Sequence, residues 1–448
     1  MNAKTKVAVS VGRFTQWFLK TFTNGGSSLP GKVATKISPN LLKELGQDYE
    51  VVVITGTNGK TVTTSLTVNI LKQKFDHIMT NDTGSNMLQG VVSSFLEDSK
   101  TKHIGRKIAV LEVDEASLRH ITEHIKPKAI LVTNIFPDQV DRYGDIETVY
   151  NYILEGIVKT PESLLLLNGD VPILNSRETQ NTQQFYGFTA NITYDSVDEI
   201  KDDACPVCGS ALTYHAETYS NLGDYHCSSC GLTRPELTNV VDEIIELTTE
   251  TAKFSMDKNI YTLPMAGLYN VYNALSAYTI GRYFDVPETD IAKGLNSASR
   301  MFGRQEVIQI EDKEVRVNLV KNTVGLNETI NLLDIEDEDF SLVMILNDNA
   351  ADGKDISWID KANFDKLAQI GAKETFVSGT RKEDLTKRMV DAGFLREDLQ
   401  LLNNSKEIIE AIKEMKTKRV YVLTTYTSML ALREEMYEQG LVKDKLKA

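Results

Sequence analysis

The segment VVVITGTNGKTVTTSLTVNILK, residues 51–72, constrains the fold more than any other stretch of the chain. Its β-branched residues, Val51 to Ile54, run into a glycine turn that opens through Lys60-Thr61 into a helix-like stretch. A strand that hands over to a helix in this way presents backbone N–H groups and the positive end of a helix dipole to anions. The Lys60 ammonium is suited to neutralising β- and γ-phosphate charge, and the Thr61 hydroxyl to ligating Mg²⁺. The chain therefore reads as an ATP user. The pattern departs from the usual phosphate loop, because Ile54 stands where its first glycine belongs. What remains is the shorter Gly56-Thr57-Asn58-Gly59-Lys60-Thr61.

The rest of the chain fits an α/β protein. At 448 residues it exceeds one ordinary core, so two or three domains are expected. Apolar runs at 107–114, 128–135 and 163–170 alternate with helical stretches, and the alternation restarts near Arg300 with runs at 340–348, 374–380 and 419–426. Continuous runs of this kind suit parallel strands covered on both faces. The restart predicts a second α/β domain of about 150 residues. Between the two, residues 262–284 read as a loop followed by a long helix. The expected boundaries are a short lead over 1–45 with the linker NGGSSLPGK, a central domain over 46–300 and a C-terminal domain over 301–448.

Net charge narrows the function. A value of −14 argues against a general nucleic-acid binder, while leaving local phosphate sites open. No run of about 18 apolar residues exists, so no membrane-spanning helix is expected. Arg13, Gln16 and Lys20 interrupt the first apolar stretch, which argues against a signal peptide. Val7, Val11, Phe14, Phe18 and Phe22 recur at spacings of three or four. They read as the core-facing side of an amphipathic helix, with a membrane-surface helix as the alternative.

The four cysteines of the chain fall in one place: Cys205 and Cys208 in CPVCG, Cys227 and Cys230 in CSSCG, with 18 residues between the pairs. That is zinc-ribbon spacing, and a closed four-thiolate site is structural because no position is left for water. The expectation is a zinc ribbon inserted over 202–233, with His215 and His226 as ordinary surface residues. Disulfides are disfavoured by the cytosolic character of the chain.

Taken together, these pieces resemble the Mur ligase superfamily, whose members use ATP to make acyl phosphates of carboxylates. GTNGKT is that family's form of the phosphate loop. LEVDE carries Glu112 where the family places a Mg²⁺-binding glutamate. TNIFPDQVDRYG (133–144) and GLYNVYNALSA (267–277) also match in order, the latter with Asn270 and Asn273 on the helix that abuts adenine. FGRQE (302–306) matches the arginine that reaches the nucleotide from the C-terminal domain, here Arg304. The departures are Gln139 in place of the family's histidine, and Asn318 and Lys321 in place of an acid and a histidine. A lead of about 45 residues is also too short for the usual UDP-binding domain.

The fold implied is a Mur ligase-like P-loop central domain carrying the four-cysteine zinc ribbon, plus a Rossmann-like α/β C-terminal domain. The short lead, the ribbon and the stretches NDNAADGKDISWI (347–359), SGTRKEDL (378–385) and TTYTSMLALR (424–433) resemble one subfamily, the ATP-using subunits of lipid II isoglutaminyl synthase. That resemblance implies phosphorylation of the D-isoglutamate α-carboxylate of lipid II by ATP, with Mg²⁺ held by Thr61 and Glu112, followed by attack of ammonia. It implies a GatD-like glutaminase partner, since no cysteine is left over as an amidotransferase nucleophile. An aspartate of the ligase chain would orient the partner's histidine. Asp348, Asp352 and Asp355 are the candidates and Asp355 is preferred, although each also suits a turn or helix cap. The implied location is cytoplasmic, at the inner face of the plasma membrane where the substrate sits. The alternatives are a standalone amino-acid ligase of the folylpolyglutamate synthase kind and a degenerate ligase serving as a scaffold.

Overall fold

The computed structural model describes residues 2–22, 28–81, 85–101, 105–138, 144–190, 204–298 and 303–443. Gln139, the linker residues 23–27, the restart at Arg300, the first two residues of the ribbon span and the tail from Asp444 lie outside them.

The strands are β1 (Glu50–Thr55), β2 (Ile78–Thr80), β3 (Ile108–Glu112), β4 (Ala129–Val132), β5 (Leu164–Asn168), β6 (Gln183–Phe188), β7 (Thr213–Glu217), β8 (Gly223–His226), β9 (Asn239–Leu247), β10 (Ala252–Met256) and β11 (Asn259–Leu263) in the first part. The second part holds β12 (Arg304–Ile310), β13 (Lys313–Leu319), β14 (Phe340–Ile345), β15 (Thr375–Ser378), β16 (Leu399–Leu401) and β17 (Arg419–Thr424). The helices are α1 (Ala3–Phe22), α2 (Leu29–Ile37), α3 (Leu41–Gly46), α4 (Lys60–Leu71), α5 (Leu88–Asp98), α6 (Leu118–Ile121), α7 (Ile146–Val158), α8 (Leu268–Tyr283) and α9 (Glu288–Asn296). They continue with α10 (Thr323–Asp334), α11 (Phe364–Ile370), α12 (Lys382–Asp391), α13 (Ser405–Glu414) and α14 (Tyr426–Glu438).

The first sheet has the order β11-β10-β9-β6-β5-β4-β1-β3-β2. Strands β2 to β6 are parallel, and β9, β10 and β11 close one side as an antiparallel meander. The apolar runs of the sequence become these central strands: Val51 to Ile54, Ile108 to Leu111 and Ala129 to Val132 are all buried. Each Val, Leu or Ile among them contributes about 1.5–3 kcal/mol on leaving water. Because β1 lies between β3 and β4, the chain reverses direction across the sheet there. In such sheets a crevice for ligands opens at the carboxyl ends of the strands. The second sheet has the order β12-β13-β17-β14-β15-β16, parallel except for the β12–β13 hairpin. Strands β14, β15 and β17 fall in the predicted apolar runs, whereas the β12–β13 hairpin and the short β16 were not expected from them.

The N-terminal helix corrects one expectation. Thr5, Ala8, Val9, Gly12 and Gln16 are its buried residues, whereas Val7, Phe14, Phe18 and Phe22 are exposed and Val11 is half-buried. The reason is close packing on the opposite side, where α1 meets α2 and α5. A Cβ on Gly12 would stand 2.7 Å from Leu96 and 3.0 Å from Ala34, so even a methyl group there would force Leu96 to move. Gln16 completes that side by donating to the Ser93 carbonyl at 2.8 Å.

Candidate active site

The glycine turn lies at the carboxyl end of β1. Gly56 and Gly59 adopt φ values of +123° and +87°. A Cβ would sit 2.4 Å from Thr133 Oγ1 at the first and 2.1 Å from Asn273 Oδ1 at the second, so only glycine fits either. The loop after β4 holds the turn in shape. Asn58 donates its N–H to Asn134 Oδ1 at 2.9 Å, and its carbonyl accepts from Asn134 Nδ2 at 3.1 Å and Thr133 Oγ1 at 2.8 Å. Thr57 donates its N–H to the Asn134 carbonyl at 2.9 Å. Gly59 is the N-cap of α4 and offers no capping side chain. The first N–H groups of α4 thus begin without a side-chain cap, the arrangement an anion completes.

Lys60 reaches back across this turn. Its ammonium donates to the Gly56 carbonyl, to the Thr57 carbonyl at 3.3 Å and to Glu115 Oε1 at 3.2 Å. Both side chains of the ion pair are only 11 % exposed. Burial pulls the Lys60 pKa down, but the carboxylates of Glu115, Glu112 and Asp114 outweigh it and the net shift is upward. Burial raises the pKa of Glu115, with Lys60 opposing. The lysine is therefore held as a cation. Thr61 follows it, half-buried in the first turn of α4.

The other nucleotide-site residues expected from the sequence gather around this turn. Glu112 ends β3, buried, and Asn86 Nδ2 donates to its Oε1 at 3.5 Å. Asn81 fixes the Glu112 backbone by exchanging two hydrogen bonds of 2.8 Å with its N–H and carbonyl. On α8, Asn270 donates to the Ala266 carbonyl at 2.8 Å and accepts from Asn273 Nδ2 at 3.1 Å. Asn273 Oδ1 accepts from Thr63 Oγ1 of α4 at 3.3 Å. Arg304, at the start of β12, is buried enough to lower its pKa, and Glu112 and Tyr269 act against that shift.

Several residues at this site escaped the sequence reading. Next to Arg304, Gln305 holds φ +58° and clamps the loop before α8. It accepts from the Ala266 N–H and donates to the Ala266 carbonyl, both at 2.9 Å, and its own N–H donates to Asn318 Oδ1 at 3.1 Å. Asn322 caps α10 through the Gly325 N–H at 2.8 Å and donates to Asn58 Oδ1 at 3.1 Å. Lys321 forms an ion pair with Asp138, whose second oxygen is buried without a hydrogen-bond partner. Of the departures from the family pattern, Asn318 thus holds Gln305 from β13 and Lys321 pairs with Asp138 in the loop after β4, one residue before the Asn322 that meets the glycine turn. The signal for Glu115 was present in LEVDE, but its pairing with Lys60 is non-local.

The three candidate aspartates of the loop after β14 separate clearly. Asp352 is buried and accepts from the Thr427 N–H at 2.7 Å and from the Thr427 hydroxyl, capping α14. Asp348 accepts from Thr380 Oγ1 at 2.9 Å. Asp355 is exposed and accepts from the Ser357 N–H at 2.9 Å, a local bond that holds its pKa below the usual aspartate value. Its contacts are local, and it stands outside the nucleotide group.

The cysteines converge in a lobe built on the β7–β8 hairpin. All four sulfurs lie within 4.8 Å of one another. The pairs Cys205–Cys230 and Cys208–Cys227 are 3.5 and 3.6 Å apart, and none of the four forms a disulfide. Both knuckles are formed: Gly209 donates its N–H to the Cys205 carbonyl at 2.8 Å, and Gly231 to the Cys227 carbonyl at 2.9 Å. His215 and His226 stack on each other with ring centroids 5.3 Å apart and lie outside the sulfur cluster. The lobe is tied to the first domain by buried Asp170, which accepts from Arg234 at 3.1 Å and from the Tyr272 hydroxyl at 2.7 Å.

Comparison with known proteins fits this geometry. Residues 54–281 match the Mur ligase middle domain, and residues 319–429 match the MurT ligase C-terminal domain. The chain is 38% identical to the Streptococcus pneumoniae R6 protein named lipid II isoglutaminyl synthase (glutamine-hydrolyzing) subunit MurT, over 100% of both chains. It is 35% identical to the Staphylococcus aureus COL protein of the same name, over 81% of this chain and 82% of the relative. Among solved structures, a pseudomurein peptide ligase type C from Methanothermus fervidus superposes with a TM-score of 0.68 at 20% identity, covering 90% of this chain and 81% of that one, a likeness of fold. With its fold, its short phosphate turn and a full-length relative in agreement, the chain belongs to the MurT family of Mur ligase-like proteins.

Proposed function

We propose that this chain is the ATP-using subunit of a lipid II isoglutaminyl synthase, activating the α-carboxylate of D-isoglutamate so that ammonia can replace oxygen. The observation that carries this reading is the Lys60 cation, set among glycine-turn carbonyls and Glu115 at the crevice of the first sheet, in a chain similar to MurT proteins over its full length. A carboxylate resists attack by ammonia because oxide is a prohibitive leaving group. Transfer of the γ-phosphoryl of ATP to a carboxylate oxygen breaks the γ-phosphate's bond to ADP and leaves an acyl phosphate. Ammonia then adds to the carbonyl carbon, phosphate departs with the electron pair and a proton is lost from nitrogen.

The chain contributes position and charge. The turn Gly56, Thr57, Asn58, Gly59 with Lys60 would cradle the phosphates, Asn270 would meet the adenine and Arg304 would approach from the second domain. Thr61 and Glu112 would hold Mg²⁺, whose charge offsets that of the phosphoryl oxygens. The sulfur cluster suits zinc: four soft ligands converge with no carboxylate or histidine among them. Ammonia would come from a GatD-like glutaminase, with Asp355 as the acid that orients the partner's histidine. Its exposure supports this choice, because Asp348 and Asp352 are engaged within the domain. The lipid-linked substrate would bring the enzyme to the inner face of the plasma membrane.

The test is an amidation assay on the purified chain with ATP, Mg²⁺, lipid II and ammonium chloride. The expected result is a product one mass unit lighter, with one ADP released per amide. Turnover with glutamate in place of ammonium would favour a folylpolyglutamate synthase-like reading, and no ATP use with either would favour the scaffold.

A further inference from the structure

Among the described residues, the apolar face of α1 has no counterpart. Phe14 is 62% exposed, Trp17 54%, Phe18 46% and Phe22 64%, with Val7 on the same side. The aromatic rings touch one another rather than a core: Phe14 and Trp17 are 5.7 Å apart between centroids, and Phe18 and Phe22 5.0 Å. On a monomer, such a patch marks a site of association.

Charge selects the occupant. Residues 1–43 hold seven basic side chains, Lys4, Lys6, Arg13, Lys20, Lys32, Lys36 and Lys43, and no acid before Glu44. The chain carries −14 overall, so the residues after 43 carry −21 against the +7 of this segment. Lys20 is engaged with Glu97 at 3.0 Å, and Arg13 donates to Ser99, while Lys4, Lys6, Lys32 and Lys36 are exposed. Cations beside an aromatic apolar face match an anionic lipid surface, where basic groups meet headgroups and Trp and Phe enter the boundary with the acyl chains. A spanning mode is excluded for this helix, since no described helix is long and apolar enough to cross a membrane.

We propose that α1 lies in the plane of an anionic bilayer and holds the enzyme to it. The helix is about 30 Å long and packs on α5. Asn86, just before α5, touches Glu112 of the candidate nucleotide site, so docking α1 sets that site close to the surface. The inference rests on the geometry and charge of α1 and goes beyond the reaction proposed above, so either can fail without the other.

Trp17 makes the test direct. The chain has two tryptophans, and Trp358 is half-buried in the second domain, so the full-length Trp358→Phe protein reports α1 alone. Mixed with vesicles of phosphatidylglycerol and phosphatidylcholine, it should show a blue shift of Trp17 emission and sediment with the lipid. Pure phosphatidylcholine, or high salt, should weaken binding by about tenfold or more. Phe14→Ser with Phe18→Ser and Phe22→Ser should abolish sedimentation, while thermal unfolding and ATP use stay unchanged. Absence of any shift with anionic vesicles overturns the proposal. So does a Trp17 shift produced by self-association, or by an added glutaminase subunit, in the absence of lipid.

Discussion

Of the loops that leave the carboxyl ends of parallel strands in this protein, the one after β1 and the one after β14 are built on opposite principles. The first bares its backbone: Gly56 and Gly59 take positive φ, neighbouring Thr133, Asn134 and Asn273 press against them, and its one charged side chain folds back over the turn. The second is full of carboxylates that tie it to its surroundings, Asp348 to Thr380 and Asp352 to Thr427. It leaves Asp355 pointing to solvent on a local hydrogen bond. A loop meant for phosphate needs N–H groups, a cation and no acids in its turn. If, as proposed, the second loop presents an acid to another protein, it needs rigidity from its remaining side chains.

Mutations probe that contrast. Lys60→Ala should lower amidation by roughly 10²–10³-fold with either nitrogen donor, the size of losing one preorganised charge at a transition state. Product formation with ammonium and with glutamine would be compared, and unchanged rates would make the first loop structural. Gly59→Ala should weaken ATP binding by about tenfold to a hundredfold, because the new methyl meets Asn273 Oδ1 at 2.1 Å and φ is +87°. Calorimetric titration with ATP measures this.

In the second loop, Asp352→Ala should cost about 1–2 kcal/mol of stability through the lost cap on α14. Its ammonium-dependent amidation below the melting range should stay at the wild-type level. A melting temperature equal to wild type would show that the loop owes its rigidity to other contacts.

The smallest effect concerns pH. Glu336 accepts from Arg419 at 2.7 Å and from the Tyr421 hydroxyl. Burial raises its pKa, but these donors outweigh burial and the net shift is downward. A depressed carboxylate contributes stability that is present above its unfolded pKa and lost as pH falls through its folded one. Wild-type stability in urea should therefore decline below the ordinary glutamate range. Glu336→Gln should cost about 1–3 kcal/mol at neutral pH and flatten that decline; a parallel pH profile would assign the acid sensitivity elsewhere.

The same contrast explains what was legible in the sequence. The glycine turn between β1 and α4 could be read because its signals are local: two glycines, a lysine and a hydroxyl on one strand–helix junction. The buried strands could be read because parallel strands covered on both faces need unbroken apolar runs, as Val51 to Ile54 show. The cysteine cluster could be read from spacing alone. The preference for Asp355 over Asp348 and Asp352 comes from the resemblance and not from local chemistry, since all three are turn-forming acids and the partners of Asp348 and Asp352 are non-local. The ion pairs Lys60–Glu115 and Lys321–Asp138 were hidden for the same reason. The orientation of α1 was misread because periodicity locates an apolar face without saying what covers it. Here the small residues on the other side pack more closely than Phe14 or Phe18 would.

The division of labour between the two loops is tested most directly by one variant and two nitrogen donors. Asp355→Asn, assayed in complex with the proposed glutaminase subunit, should lose at least about a hundredfold of its glutamine-dependent amidation if Asp355 is the acid that orients the partner's catalytic histidine. Its ammonium-dependent amidation should equal that of the wild type. Equal loss with both donors, or full glutamine-dependent activity, would contradict the account.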